Sequence, residues 1–201
     1  MNPTILNALC YKYICVDSYI ELCSFIETKH TKMKNSLFTF ALLISFVSFG
    51  QTQLEYFEKG DSKYESGDYY GAIYEYTKAI KSGNFYPPAY TNRGLAKSKL
   101  GDYSEGLKDL NYVIDIVPEF ILTYLYRGII KAESKDYSGA IADFTKVIEK
   151  EETKSPSAYT NRGLAKYKLG DLNGACSDWK EAAKLGGKTA QAYIIKNCKV
   201  M

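Results

Sequence analysis

Histidine is nearly missing from this chain: the only one among 201 residues is His30. General acid–base chemistry by imidazole therefore has no residue to use beyond the first few dozen positions. Proline and glycine are modest, at 5 and 15, which argues against collagen-like or low-complexity disorder. No long block of single-sign charge exists. Lys and Arg (26) alternate with Asp and Glu (23), so the formal charge is only +3, and counterion-driven nucleic-acid binding has no electrostatic footing. The cysteines lack a Cys-x-x-Cys spacing, which excludes a zinc site or thioredoxin-like centre, and no glycine-rich phosphate loop is found. What is present is a 46% apolar, tyrosine-rich chain with enough apolar surface for a folded core.

The first fifty residues read as targeting. From Met33, the run "MKNSLFTFALLISFVSFGQ" has Lys32 and Lys34 at its start, an apolar stretch from Leu37 to Phe49, and the small residues Ser48 and Gly50 before Gln51. These are the parts of a secretory signal peptide, and the apolar run is shorter than the roughly 20 residues a spanning helix needs. Residues 33–50 are thus expected to be a signal peptide, and 1–32 an upstream leader from a start assigned too early. The mature chain is expected to be exported to the periplasm or exterior, with no membrane span after cleavage. The alternative is an uncleaved membrane anchor. Cys10, Cys15 and Cys23 lie in the leader. Cys176 and Cys198 remain as an even pair suited to an oxidising compartment, either bonded or two separate buried thiols.

The rest of the chain repeats. "YTNRGLAKSKLGDY" at Tyr90–Tyr103 returns as "YTNRGLAKYKLGDL" at Tyr159–Leu172. The turns Gly67-Asp68, Gly101-Asp102, Lys135-Asp136 and Gly170-Asp171 are 34, 34 and 35 residues apart. Seven residues before each turn stands Gly60, Gly94, Gly128 or Gly163, and four before that an aromatic: Tyr56, Tyr90, Tyr124 or Tyr159. After each turn come a small residue (Ala72, Gly106, Ala140, Ala175), a bulky one (Tyr76, Leu110, Phe144, Trp179), then Ala79, Val113, Val147 or Ala182. Spacings of three and four predict two helices per period, with small and bulky residues stacked on one face. Pro87 and Pro156 stand at first-helix starts, where a missing amide costs nothing, and Pro118 closes the second copy.

Taken together, these residues resemble the tetratricopeptide repeat (TPR) from Gln53 to about Leu185. Lys135 at the third turn and Gly106 at the second small position depart from it. The resemblance implies an all-α solenoid of four helical hairpins (53–86, 87–120, 121–155 and 156–187) with a capping helix at 188–201, on which Ala192, Ile195 and Cys198 cover the last hairpin. It also implies a non-catalytic adaptor without cofactor, holding a protein or peptide partner in a concave groove lined by first helices. The groove positions carried over are Phe57, Asp61 and Tyr64; Asn92, Leu95 and Lys99; Leu125, Ile129 and Glu133; and Asn161, Leu164, Tyr167 and Lys168. TPR proteins that clamp a C-terminal carboxylate need cations where this chain has Leu122 and Tyr126, so that type of receptor is not expected. A self-associating module of an envelope assembly is the alternative, and an enzyme stands third.

The residue before each repeat glycine, ordinarily apolar in the family, is here Lys59, Arg93, Arg127 or Arg162. Sixteen residues later stands Glu75, Asp109, Asp143 or Asp178. We expect each base to reach its acid across the helix pair, the alternative being eight solvated charges.

Overall fold

The computed structural model describes residues 52–150 and 155–198. The leader and the Met33–Gly50 segment lie outside the described residues, as do Cys10, Cys15, Cys23 and His30. Every regular element among the described residues is an α-helix. The helices are α1 (52–65), α2 (Tyr69–Lys81), α3 (Pro87–Lys99), α4 (Tyr103–Ile116), α5 (Ile121–Glu133), α6 (Tyr137–Glu149), α7 (Pro156–Lys168), α8 (Leu172–Lys184) and α9 (Lys188–Asn197). α1 packs on α2 where Gly60 meets Tyr76, each helix from α2 to α9 packs on its neighbours in sequence, and α5 also touches both α3 and α7. No helix among the described residues is long and apolar enough to cross a membrane.

The turns are built from short-range chemistry. Gly67, Gly101 and Gly170 take φ of +81°, +89° and +89°, and Lys135 is forced to +69° at the equivalent place. An L side chain there costs roughly 1–2 kcal/mol relative to glycine. The next residue caps the second helix: Asp68, Asp136 and Asp171 accept hydrogen bonds from the amides of Gly71, Gly139 and Gly174 at 2.8–2.9 Å. Asp102 makes no such cap, and the residue three further on is Glu105 instead of glycine. A Cβ built on the equivalent glycines would collide with the capping carboxylate, so cap and small residue go together.

Between the two helices of each pair, the small positions let a large side chain through. A Cβ on Gly60 would meet the Tyr76 ring at 2.5 Å, and on Gly128 or Gly163 it would meet Phe144 or Trp179 at 2.7 Å. Tyr76, Leu110, Phe144 and Trp179 are accordingly buried to 1% exposure or less. The departure at Gly106 reflects a closer crossing, since a Cβ there would stand 2.6 Å from the Gly94 carbonyl oxygen.

α9 covers the last hairpin, though not with the face expected. Ala190 is fully buried, and Tyr193, Ile194 and Cys198 pack on Ala175, Cys176, Trp179 and Ala182. Ala192 and Ile195 are exposed, Ile195 by 51%. The cap follows the 190–193–194–198 stripe because the Tyr193 ring stacks on Trp179, with centroids 5.1 Å apart, and Cys198 is disulfide-bonded to Cys176.

Candidate functional site

The first helices present two polar faces, and the partners of each show what it does. On one face, the arginines turn toward the second helices. Arg93 donates from Nε and Nη2 to the two oxygens of Asp109 at 2.9 and 2.7 Å. Arg127 does the same to Asp143 at 2.9 and 2.6 Å, and Arg162 to Asp178 at 2.9 and 2.7 Å. In each case Nη1 crosses to the preceding hairpin, reaching Thr77, Asn111 and Thr145 respectively. The guanidinium carbons lie 5.5, 5.3 and 5.5 Å from the ring centres of Tyr90, Tyr124 and Tyr159. The hydrogen bond to Asp143 raises the pKa of Arg127.

A second cation joins each acid. Lys97, Lys131 and Lys166 lie 2.8, 2.8 and 2.9 Å from the same carboxylates, whose side chains are only 4–9% exposed. Sequence reading missed these lysines, although each stands one helical turn after its arginine. The chain has three arginines, and all three take this bidentate position.

The fourth predicted pair does not form. Lys59 pairs with Glu55 at 2.8 Å, and Lys63 with Asp68 at 3.0 Å. Glu75 sits 3.5 Å from Lys78, close enough for an ion pair but without hydrogen-bond geometry at its buried Oε2. A lysine has no planar fork to grip both carboxylate oxygens, and in this hairpin an i−4 glutamate competes for it.

The other face joins first helices to one another. Asn92 of α3 donates to Asp61 Oδ1 of α1 at 2.9 Å, and Lys99 of α3 pairs with Glu133 of α5 at 2.8 Å. These links define an inner wall. The Tyr76 hydroxyl rises between the helices and donates to the same Asp61 oxygen at 2.7 Å. Burial raises the Asp61 pKa despite these two hydrogen bonds, and Glu65 and Glu58 push it the same way. Tyr76 and Tyr126 are also raised, by burial first and then by the Asp61 charge. Burial does the same at Tyr64, while Lys99 opposes it. The bond to Glu133 raises the pKa of Lys99.

The carried-over wall positions separate. Phe57 is 3% exposed and packs on Tyr76 and Tyr86, so it belongs to the core and not to an open groove. Leu125 and Ile129 are half-buried against the Ala140–Phe144–Ala165 cluster. Leu95, Asn161 and Leu164 are half-buried, and Lys168 is exposed. Tyr64 packs edge-on against Tyr69, and Tyr167 leans on Trp179 while staying 42% exposed. Among the described residues no group of three His, Cys, Asp or Glu is placed to hold a metal ion.

No protein-family model matches the sequence, and no curated protein matches it either. Solved structures do resemble the fold. MamA (residues 41 to the end) from Desulfovibrio magneticus RS-1 is 17% identical, with 74% of this chain and 94% of that one covered and a TM-score of 0.59. TTC0263, a thermophilic TPR protein of Thermus thermophilus, is 18% identical over 66% and 74% of the two chains, with a TM-score of 0.58. The first TPR of Spaghetti (RPAP3), bound to the HSP90 peptide SRMEEVD, is 25% identical over 60% and 95%, with a TM-score of 0.55. With a thirty-four-residue period, paired helices and these likenesses, the chain has the fold of tetratricopeptide-repeat proteins.

Proposed function

We propose that this protein is a non-catalytic adaptor that holds a partner segment along the wall made by α1, α3, α5 and α7. The observation that carries this reading is the division of labour between the two faces of the first helices. The arginine face is consumed by internal bonds. The opposite face carries half-buried Leu95, Ile129 and Leu164 beside a few polar points, the mixture that binding surfaces use. The RPAP3 domain in the structure named above is bound to a peptide, which supports a peptide or protein as the class of partner. The test is capture of a partner by the mature chain and by a Leu95→Glu/Ile129→Glu/Leu164→Glu variant. Loss of the partner with an unchanged helical spectrum supports the groove, and undiminished capture overturns it.

We place the protein outside the cytoplasm. The Met33–Gly50 pattern and the Cys176–Cys198 bond both support an oxidising compartment. N-terminal sequencing of the exported chain is expected to start near Gln51, and a mature chain that keeps Tyr11 to Phe25 would contradict this.

A self-associating module is the second reading, favoured by Tyr70 and Tyr74 of α2, which are 77% and 63% exposed. Light scattering across a concentration series decides it, because a mass that stays monomeric removes it.

A further inference from the structure

The inner wall is electrically uneven along its length. On α1, Glu58, Asp61 and Glu65 share one face by helical spacing, and among the described residues no ion pair joins any of them to a base. Midway, Lys99 and Glu133 neutralise each other across α3 and α5. At the far end α7 carries no acid at all, and Lys168 is exposed. A tyrosine hydroxyl accompanies the negative end, with Tyr76 donating to Asp61 Oδ1 at 2.7 Å.

We propose that the groove's partner is a segment with an apolar middle and a lysine or arginine at one end, bound so that the basic side chain lies over α1 beside Asp61. This rests on the groove reading above and names the partner's chemistry. A cation there meets three carboxylates that no base among the described residues neutralises, whereas an acidic segment meets like charge. A half-buried carboxylate that only neutral donors satisfy gains most from a positive partner. The opposite sign at α7 disfavours the reversed orientation, so the wall selects a direction as well as a composition.

The test is selection of random displayed dodecapeptides on the full chain, with the retained peptides synthesised and titrated against variants. The expected outcome is an apolar run with Lys or Arg at one end. Such peptides should bind Glu58→Gln/Asp61→Asn/Glu65→Gln about tenfold more weakly at low salt, with the difference shrinking near 0.5 M salt. Peptides that Leu95→Glu abolishes but that carry no basic end, or that the triple variant binds equally, overturn this inference and leave the groove standing. If no peptide is retained, or if Leu95→Glu has no effect, the groove itself is overturned and the inference with it.

Discussion

Arg127 holds both oxygens of Asp143, with Nη2 2.6 Å from Oδ1 and Nε 2.9 Å from Oδ2, while its Nη1 donates to Asn111 of the preceding hairpin at 2.8 Å. One side chain thereby fastens two helices of its own hairpin and links that hairpin to its neighbour. The same arrangement at Arg93 and Arg162 makes it a property of the array.

Because Asp143 is nearly buried and faces two cations, removing it alone is expected to hurt most. Asp143→Ala leaves Arg127 and Lys131 without their acid and should cost about 3–5 kcal/mol in chemical denaturation. The double change Arg127→Met/Asp143→Leu should cost less. Equal losses would mean the pair is solvated in solution.

Lys135 is the one turn residue with an L side chain at positive φ among the described residues. Lys135→Gly is expected to stabilise the fold by about 0.5–1 kcal/mol, since relief of the left-handed strain exceeds the added entropy of the unfolded chain. Gly101→Ala, the reverse change, should destabilise by a similar amount. A lower denaturation midpoint for Lys135→Gly would contradict the strain argument.

Asp61 sets a pH dependence whose sign is opposite to that of a salt-bridged acid. Its folded pKa is raised above the ordinary 3.8, so the folded state binds the proton more tightly than the unfolded state. Its stabilising contribution is full below pH 3.8 and is lost as pH rises through the raised value. Asp61→Asn keeps an oxygen for Tyr76 and Asn92 and should therefore raise the urea midpoint at neutral pH. The gain over wild type should vanish under acid conditions. A gain that persists unchanged below pH 3.8 would rule out ionisation as its source.

The cap offers an optical test, because Trp179 is the chain's single tryptophan and stacks on Tyr193 of α9. The Cys176–Cys198 bond closes a sequence separation of 22 residues, a loop for which chain entropy gives about 3 kcal/mol. Cys176→Ser/Cys198→Ser, or reduction of the wild type, should lower stability by roughly that amount. It should also shift Trp179 emission to the red as α9 frays, and unchanged emission would show that packing alone holds the cap.

The period, the helical pairing and the core rows were legible in the sequence because they depend on local geometry repeated four times. Tyr76, Leu110, Phe144 and Trp179 stand at one register, and all are buried. Spacing also singled out the bases and acids sixteen apart, and three of the four pairs meet. What periodicity could not supply was competition: Lys59 found Glu55 on its own helix before Glu75 on the next. Neither could it show that Lys97, Lys131 and Lys166 share the arginines' acids, since charge sharing depends on where three side chains converge.

The sequence by itself determined how many hairpins stack and which residues fill their seams, because three-to-four spacing and small–large alternation admit one helical arrangement. Only the tertiary structure decided which face of α9 closes the array, that Phe57 belongs to the core, and that Asp61 meets Tyr76 and Asn92 from two other helices. Those outcomes depend on rotations between helices of a few tens of degrees, which move a side chain from solvent to core while leaving the repeat pattern unchanged.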